Sequence, residues 1–280
     1  RECSIQRRHQ KIVEESPAPV ITDDGLRQRM AAAAVLLAQA VDYANAGTVE
    51  FIVDGAGNFY FLEMNTRLQV EHPITELVTG LDLAAWQIRI AAGEKLPFSQ
   101  DAIKQRGHAI ECRIYAEDPA MQFLPSIGMI KLYQRPFGPG VRVDDGIETG
   151  SEVTPYYDPM LAKVITWGQN RAEAIRKMVR ALQETAVLGV KTNIPFLLAI
   201  LQESAFVAGQ TSTNYLQTHM ANWSPDSVAL DEDDWLVTAV FELLQGRGGQ
   251  MGRETAVQPD HLNRPDPWHD GSTWRNVKLT

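Results

Sequence analysis

The side chains best suited to chemistry are concentrated in one stretch, residues 63–73. It reads Glu-Met-Asn-Thr-Arg-Leu-Gln-Val-Glu-His-Pro and follows directly on an apolar and aromatic run, residues 59–62. Carboxylates, amides and an arginine at this density can bind ions and transfer protons. The sequence therefore predicts a strand whose end delivers polar side chains into a functional site.

A second strand upstream gives this stretch a partner. Residues 48–54 alternate as a strand does, and the Gly-Ala-Gly-Asn sequence at 55–58 is typical of a turn that needs positive φ. If these four residues close a hairpin, three cross-strand pairs follow: Asp54 with Phe59, Ile52 with Phe61, and Glu50 with Glu63.

The pairing of two glutamates needs compensation, because like charges placed directly opposite each other destabilise a sheet. A shared proton, a cationic side chain or a metal ion could provide it. Asn65 lies two residues beyond Glu63, on the same face, and adds an oxygen. Two carboxylates and an amide suit Mg²⁺, so we predict a metal site at Glu50, Glu63 and Asn65. The alternative is a solvated polar face with the register shifted by one residue.

Three ungapped stretches carry a family resemblance: residues 1–11 (Arg-Glu-Cys-Ser-Ile-Gln-Arg-Arg-His-Gln-Lys), residues 63–73, and residues 106–114 (Arg-Gly-His-Ala-Ile-Glu-Cys-Arg-Ile). They resemble the biotin carboxylases, the ATP-grasp enzymes that carboxylate biotin, and the resemblance runs from residue 1 to about residue 220. The implied activity is ATP-dependent carboxylation of biotin by bicarbonate, as a component of an acyl-CoA carboxylase α subunit.

The resemblance also implies site residues. It assigns catalytic roles to Arg67, Glu71 and Arg113, and it agrees with the metal set derived above. The implied ligands of bicarbonate are Lys11, Arg67, Gln69 and Val70, and those of the nucleotide and its metal are Gln6, His9, Glu50 and Glu63.

Glu71 is the best candidate for a general base that takes the proton of bicarbonate, since Arg67 and Gln69 flank it and Arg67 can clamp an anion. Its alternative is a surface salt bridge to Arg67. Arg113 matches the arginine that stabilises the biotin enolate in the family. Without the resemblance, it is interpreted as an exposed arginine on an amphipathic strand, and His9 as a solvated residue in a basic run.

The implied cofactors are ATP, Mg²⁺ or Mn²⁺, and biotin carried on a domain outside this chain. The implied partners are bicarbonate, the biotin carrier domain and a carboxyltransferase subunit, in an oligomeric intact enzyme. Residues 267–276 resemble the start of the middle domain in α subunits of the methylcrotonyl-CoA type. We expect the isolated chain to be inactive, because the glycine-rich phosphate loop of the family is not in it.

Composition limits the other partners. The net charge of −9 argues against nucleic acid and anionic membranes. The two cysteines, Cys3 and Cys112, form no metal-ligand or disulfide pattern, which fits a reducing compartment. No apolar run has the length of a transmembrane helix and no signal peptide is recognisable. We expect the cytoplasm of a bacterium or, less favoured, an organelle matrix.

The fold class that we predict is α+β: the C-terminal half of an ATP-grasp domain, followed by the mixed α+β biotin carboxylase C-terminal domain. The boundaries are 1–95 for the first, 96–222 for the second, and 223–280 for a helix, a linker and the start of a further domain. Residues 1–14 look too charged for a core strand, and we expect an edge segment there. Asn170 is predicted to cap a helix with an apolar stripe from Ala174 to Leu182.

Two other functions compete with this one. Another ATP-grasp ligase, making carbamoyl phosphate or an amide, would share the Glu-x-Asn metal pair but lack the Arg-x-Gln-Val-Glu-His-Pro continuation and the strand of Arg113. A non-catalytic nucleotide-binding assembly module would be expected to have lost its carboxylates, whereas Glu50, Glu63 and Glu71 are all present.

Overall fold

The computed structural model describes residues 1–7, 10–225, 236–241 and 243. Contacts divide the chain into two units, Arg1–Pro225 and Asp226–Thr280. In the second unit, residues 236–241 and 243 are helical, which includes Ala239 and Leu243 of the helix predicted there. The predicted linker and the stretch 267–276 lie outside the described residues. None of the helices in the described ranges is long and apolar enough to cross a membrane.

The first unit mixes helices with antiparallel strands, as the α+β prediction requires. The described strands are β1 (Glu2–Arg7), β2 (Gln10–Ser16), β3 (Thr48–Val53), β4 (Phe59–Asn65), β5 (His108–Tyr115), β6 (Glu117–Asp118), β7 (Leu124–Pro125), β8 (Gly128–Met129), β9 (Leu132–Gln134), β10 (Val141–Asp145), β11 (Glu152–Val153), β12 (Met160–Gly168) and β13 (Ala186–Leu188). The described helices are α1 (Asp24–Ala40), α2 (His72–Thr79), α3 (Leu83–Ala91), α4 (Arg171–Glu184), α5 (Ile194–Gln202), α6 (Ser204–Val207) and α7 (Tyr215–His219), with 3₁₀ turns at Gln100–Ala102 and Pro119–Met121.

One five-stranded antiparallel sheet, in the order β1-β2-β5-β12-β10, organises this unit. The remaining strands form two-stranded pairs, among them the predicted hairpin β3-β4. The sheet joins the first sixteen residues to strands beyond residue 107, so it crosses the division that we predicted at residues 95 and 96. That division stays a prediction about family domains.

The expectation of a charged edge segment holds for β1 and is wrong for β2. β2 lies between β1 and β5, and it carries Glu14 and Glu15 fully buried. Charge did not indicate a surface here, because both carboxylates have cationic partners: Arg113 contacts Glu14, and Arg171 contacts Glu15.

The sheet buries both of its faces. On one face Ile110, Cys112 and Val164 pack with α4 and α5 in the main core. The predicted stripe of α4 is confirmed, with Ala174 and Met178 fully buried, and Asn170 caps the helix by accepting a hydrogen bond from the Glu173 amide. The other face is covered by α2, through Ile74 and Val78 against Ala109 and Ile165. It also carries the polar side chains of the candidate site.

The hairpin β3-β4 confirms the predicted pairing of Glu50 with Glu63, but its turn length and the register of the other pairs differ from the prediction. The turn has five residues, not four, because Asp54 leaves the strand and its side chain accepts hydrogen bonds from the Ala56 and Asn58 amides. Val53 therefore pairs with Phe59, and the predicted pairs of Asp54 with Phe59 and Ile52 with Phe61 are wrong. A β-bulge at Leu62 then leaves one residue of β4 unpaired, which shifts the pairing by one residue and brings Glu50 opposite Glu63.

A buried polar cluster around Glu15 ties four of these elements together: β1, β2, β5 and α4. Arg171 Nε on α4 contacts Glu15 Oε2 on β2 at 2.7 Å, His108 Nε2 on β5 contacts the same oxygen at 2.8 Å, and Ser4 Oγ donates to Oε1 at 2.8 Å. The Arg171 guanidinium also lies over the Phe206 ring. Burial raises the pKa of Glu15, but hydrogen bonds from His108 and Arg171 outweigh it, so the pKa lies below its usual range.

We expect Arg171→Met to destabilise the folded chain strongly. Removing one partner of a buried ion pair leaves an uncompensated charge and typically costs about 3–5 kcal/mol. Urea denaturation of the purified chain would measure the loss. Arg180→Met on the same helix is the control, because Arg180 forms an exposed pair with Glu184. If both variants unfold at the wild-type midpoint, the cluster does not stabilise the fold.

Candidate active site

The candidate site lies where the loop between β4 and α2 crosses the second face of the sheet. Lys163 on β12, itself buried, donates a hydrogen bond from Nζ to the Val70 carbonyl at 2.6 Å. Glu71 follows as the N-cap residue of α2. The His72 ring contacts the Gln69 carbonyl through Nδ1, 2.9 Å away, and so helps to fix the loop. These contacts place the polar end of the 63–73 stretch against β5 and β12.

A bulge in β2 brings Lys11 to the same face. Ile5 pairs with Val13 and Gln6 pairs with Lys11, so Ile12 is an extra residue in the ladder. Ile12 and Val13 consequently both join the main core. Lys11 can then contact Glu71 on the opposite face of the sheet, at 3.5 Å from Nζ to Oε1. Bulges of this kind commonly redirect side chains next to functional sites.

Glu71 lies at the centre of the site and is only 2% exposed. Its Oε2 accepts a hydrogen bond from Arg113 at 3.0 Å, and its Oε1 lies 3.5 Å from Lys11 Nζ and 3.7 Å from an Arg1 guanidinium nitrogen. Burial alone would raise the pKa of this carboxyl. The charge of Arg1, a hydrogen bond from its own backbone and the charges of Lys11 and Arg113 outweigh burial, so the pKa lies below its usual range. The alternative for Glu71, a surface salt bridge to Arg67, is absent among the described contacts, and Glu71 is a buried carboxylate with cationic groups near both of its oxygens.

Arg113 is also buried, at 9% exposure, so its interpretation as an exposed arginine on an amphipathic strand is wrong. Its guanidinium bridges Glu71 on α2 and Glu14 on β2, at 3.0 and 2.5 Å. Burial opposes its charge, but Glu14, Tyr115 and Glu71 hold the pKa of Arg113 above its usual value. The sheet face therefore presents a fixed, permanently charged guanidinium beside Glu71.

Glu50 collects three hydrogen-bond donors at one oxygen. Lys11 Nζ, Gln69 Nε2 and Asn65 Nδ2 approach its Oε1 at 2.7, 2.8 and 3.1 Å. Burial raises the pKa of Glu50, but the hydrogen bonds from Lys11 and Gln69 lower it by more, and the net shift is downward. The same Asn65 nitrogen donates to Glu63 Oε1 at 2.9 Å. Glu50 and Glu63 therefore share one face of the hairpin and converge on Asn65, as the register argument predicted.

The two carboxylates fit a hard divalent cation, and Asn65 would join them as a ligand by turning its amide oxygen, which accepts a hydrogen bond from Arg67 in the structure, toward the ion. Carboxylate and amide oxygens are the ligands that Mg²⁺ prefers, and it usually completes its shell with water and substrate phosphates. The described part of the chain contains no group of three or more His, Cys, Asp or Glu that could hold a metal. A cation here would therefore depend on the two glutamates, the Asn65 amide and ligands from outside the chain.

The remaining predicted residues differ in their burial and contacts. Gln69 is buried and accepts a hydrogen bond from Arg1 at 2.5 Å. Arg67 is exposed and donates only long hydrogen bonds among the described contacts, at 3.3 Å to Asn65 Oδ1 and to the Leu68 carbonyl. Gln6 is half-buried and pairs with Lys11 across β1 and β2. His9 lies outside the described residues.

Sequence reasoning missed three contributors: Arg1, Glu14 and Lys163. Arg1 belongs to the first motif, and its contacts with Gln69 and Thr48 depend on a meeting of distant segments. Glu14 and Lys163 lie on strands that flank β5, where Lys163 is the register partner of Arg113. Only the strand order could have identified them, and no local pattern in the sequence encodes that order.

Comparison with known families gives two matches, one in each half of the first unit. Residues 1–99 match the family described as carbamoyl-phosphate synthase L chain, ATP binding domain. Residues 111–218 match the biotin carboxylase C-terminal domain. The first match covers the β3-β4 hairpin and the loop of Glu71, and the second begins just before Arg113.

Three curated relatives illustrate the similarity. A pyruvate carboxylase subunit from Methanothermobacter thermautotrophicus is 55% identical over 219 residues, 78% of this chain and 44% of the relative. Biotin carboxylase of Halalkalibacterium halodurans is 54% identical over 220 residues, 79% of this chain and 48% of the relative. The human mitochondrial propionyl-CoA carboxylase alpha chain is 48% identical over 273 residues, 94% of this chain and 37% of the relative. The chain thus spans about half the length, or less, of these relatives.

A solved structure shows the same fold. The biotin carboxylase domain of Hydrogenobacter thermophilus 2-oxoglutarate carboxylase, crystallised as a dimer with MgADP, ADP and bicarbonate, superposes with a TM-score of 0.77 at 47% identity. The match covers 79% of this chain and 49% of that one. With its two domain matches, its relatives and this fold, the chain belongs to the biotin carboxylase family and contains the C-terminal part of the module, the end of the ATP-grasp domain followed by the biotin carboxylase C-terminal domain.

Proposed function

We propose that this chain supplies the metal- and bicarbonate-binding part of an enzyme that carboxylates biotin with bicarbonate at the expense of ATP. The observation that carries the proposal is the ionised, buried Glu71 between two cations, Lys11 and Arg113. A carboxylate in that setting can accept a proton and lies beside groups that attract an anion.

Glu71 would act as the general base. Because its pKa lies below the usual range, the carboxylate is ionised at neutral pH and ready to take the proton of bound bicarbonate. Removal of that proton makes the bicarbonate oxygen a better nucleophile toward the terminal phosphate of ATP. Lys11 and Arg113 then stabilise the negative charge that collects around the reacting groups.

The anion itself would be held next to Glu71. Arg67 is exposed at the mouth of the site and has a planar fork suited to bicarbonate or phosphate. The loop also carries Gln69 and the backbone of Val70, and Lys11 lies nearby on β2. Lys163 fixes the Val70 carbonyl toward the sheet, so the loop that carries these groups is held in one position.

Glu50, Glu63 and Asn65 would hold Mg²⁺ or Mn²⁺. A divalent ion there would neutralise the phosphates of bound ATP and orient them. Gln6 and His9 are proposed to contact the nucleotide.

Arg113 would serve a later step. Loss of a proton from the ureido group of biotin leaves negative charge on its oxygen, and a fixed guanidinium stabilises such charge as it develops. Arg113 is fixed in this sense, because Glu14 and Glu71 hold it from two sides.

The partners follow from the chemistry that the relatives share. These relatives are named for biotin carboxylase, pyruvate carboxylase and propionyl-CoA carboxylase, so the common half is the one that carboxylates biotin. We therefore propose a biotin carrier domain and a carboxyltransferase as partners, in an oligomeric enzyme of a bacterial cytoplasm or an organelle matrix. The methylcrotonyl-CoA type suggested by residues 267–276 stays a prediction.

The two competing functions find less support. The match of residues 1–99 to a carbamoyl-phosphate synthase ATP-binding domain fits any ATP-grasp ligase, but residues 111–218 match the biotin carboxylase C-terminal domain. A non-catalytic assembly module gives no reason for Glu50, Glu63 and Glu71 to converge with Lys11.

The roles of Glu71 and Arg113 can be separated in the intact parent enzyme. We expect Glu71→Gln to depress both bicarbonate-dependent ATP cleavage and carboxybiotin formation, because the base acts in the first step. Arg113→Ser should lose carboxylation by on the order of 100- to 1,000-fold and keep much of the biotin-independent ATP cleavage. Phosphate release and carboxybiotin are assayed side by side, with Glu94→Gln, a change at an exposed acid beyond α3, as the control. Equal loss of both reactions in a folded Arg113→Ser enzyme would place Arg113 in the phosphate step.

The metal assignment predicts a change in metal requirement. In the intact parent enzyme, Glu63→Gln should raise the Mg²⁺ concentration for half-maximal ATP cleavage by at least about tenfold, since one of two charged ligands is lost. Glu152→Gln, a change at an exposed acid on β11, should leave that concentration unchanged. An unaltered Mg²⁺ requirement in Glu63→Gln would show that Glu63 is not a ligand.

The role of Lys163 can be measured without any activity. We expect Lys163→Met to speed amide hydrogen exchange in residues 71–79 by roughly 10- to 100-fold, because a hydrogen bond from a charged donor contributes about 1.5–3 kcal/mol. The control is Lys177→Met, which removes a similar hydrogen bond from a lysine to the Trp167 carbonyl, at 3.0 Å. If the two variants exchange alike in residues 71–79, Lys163 does not hold the loop.

A further inference from the structure

Two buried glutamates lie beside Arg113: Glu14, which the proposed mechanism uses only to hold the guanidinium, and Glu111, which it does not use. Glu14 on β2 and Glu111 on β5 are register partners in the antiparallel ladder, and both are fully buried. Directly paired residues in such a ladder have Cβ atoms about 4.5–5.5 Å apart, so their carboxyl groups are within reach of one hydrogen bond. Arg113 follows Glu111 by two residues on the same face of β5.

Most carboxyl oxygens of these two glutamates lack a hydrogen-bond donor among the described residues. Glu14 Oε1 contacts Arg113, whereas Glu14 Oε2 and both oxygens of Glu111 have no hydrogen-bond partner among the described residues. Lys163 directs its ammonium to the Val70 carbonyl and to Asp144, at 2.6 and 3.3 Å. An ionised carboxylate without donors in a buried place is costly, and two such groups side by side cannot both be charged at little cost.

We propose that Glu14 and Glu111 share one proton, so that the pair carries a single negative charge next to Arg113. Glu111 is then a positioning residue, because the proton that it shares prevents a second negative charge from forming there. The shared proton would lie between Glu111 and the open Glu14 Oε2. The remaining charge on Glu14 then holds one side of the guanidinium while Glu71 holds the other. This role rests on the proposed function of Arg113.

The surrounding charges agree with this assignment. Burial, followed by the charge of Glu14, raises the pKa of Glu111 well above its usual value, against the opposing charges of Lys163 and Arg113, and Glu71 adds to the rise. Burial also raises the pKa of Glu14, although Arg113 and Lys11 oppose it. Asp144 and Arg142 from β10 pair mainly with each other. An acid with a raised pKa is protonated at lower pH and loses its proton as the pH rises.

Loss of the shared proton would place two adjacent negative charges beneath Arg113. The guanidinium would then be drawn to the sheet and would stabilise a negative charge on the substrate less well. The rate of carboxyl transfer should therefore fall by about tenfold per pH unit once the pH exceeds the value at which the pair loses its shared proton. Biotin-independent ATP cleavage, which depends on Glu71, should not show this fall.

Two measurements test the proposal. In the purified chain, infrared spectroscopy should detect the C=O band of a buried protonated carboxyl at neutral pH, and the band should disappear at alkaline pH. Glu111→Gln should remove it, and Glu2→Gln is the control, because burial and Glu15 raise the pKa of Glu2 to about 7. If Glu2→Gln abolishes the whole band at neutral pH, no other buried carboxyl is protonated and the proposal is overturned. This outcome does not depend on whether the Glu111→Gln variant folds.

In the intact parent enzyme, Glu111→Gln should keep carboxylation at neutral pH within about threefold and lose the alkaline fall, since an amide is neutral and donates as the protonated acid does. The same alkaline fall in this variant and in the wild type would contradict the positioning role. If the parent carboxylates no biotin at all, the proposed function fails, while the infrared result still decides whether the proton is shared.

Discussion

The site depends on one buried ion-paired arrangement, in which Arg113 bridges Glu71 on α2 and Glu14 on β2. Burying three charged groups costs several kcal/mol per ion unless each finds a partner. The sheet meets that requirement by placing β2 beside β5 and by covering the face with α2. Removing Arg113 would leave the buried Glu14 without its cationic partner, whereas Glu71 would keep Lys11 and Arg1. The arrangement therefore constrains strand order, register and helix placement together.

The sheet also explains how separate parts of the chain act as one site. Lys11 comes from β2, Glu50 from β3, Glu71 from the start of α2, Arg113 from β5 and Lys163 from β12. Sites built on strands of a packed sheet are held more precisely than sites on loops. The bulge at Ile12 is the local adjustment that this assembly requires, because without the extra residue Lys11 would point into the main core.

The sequence was most informative where the chemistry is local. The 63–73 motif directed attention to the β3-β4 hairpin, Glu71 and Gln69, whose roles stay predictions. The pairing of Glu50 with Glu63, which the structure confirms, followed from alternation and turn residues. The turn length was misjudged because Asp54 folds its side chain over the loop, and the bulge at Leu62 compensated by one residue. Where long-range order decides, local patterns mislead. Glu14 and Glu15 look like surface charges in one dimension and are buried in three, because their cationic partners Arg113 and Arg171 are distant in the sequence. Arg113 looks like a surface charge too unless the family resemblance is considered, because its partner Glu71 lies 42 residues away.

The central claim is that bicarbonate binds beside an ionised Glu71 on this sheet face. The most direct measurement is a crystal structure of the intact parent enzyme with bicarbonate bound. The account predicts that the anion contacts Arg67, Gln69 and the Val70 backbone, with a Glu71 oxygen within hydrogen-bonding distance and Arg113 still paired with Glu14. A bicarbonate ion bound elsewhere, or a Glu71 side chain turned away from it, would contradict the account.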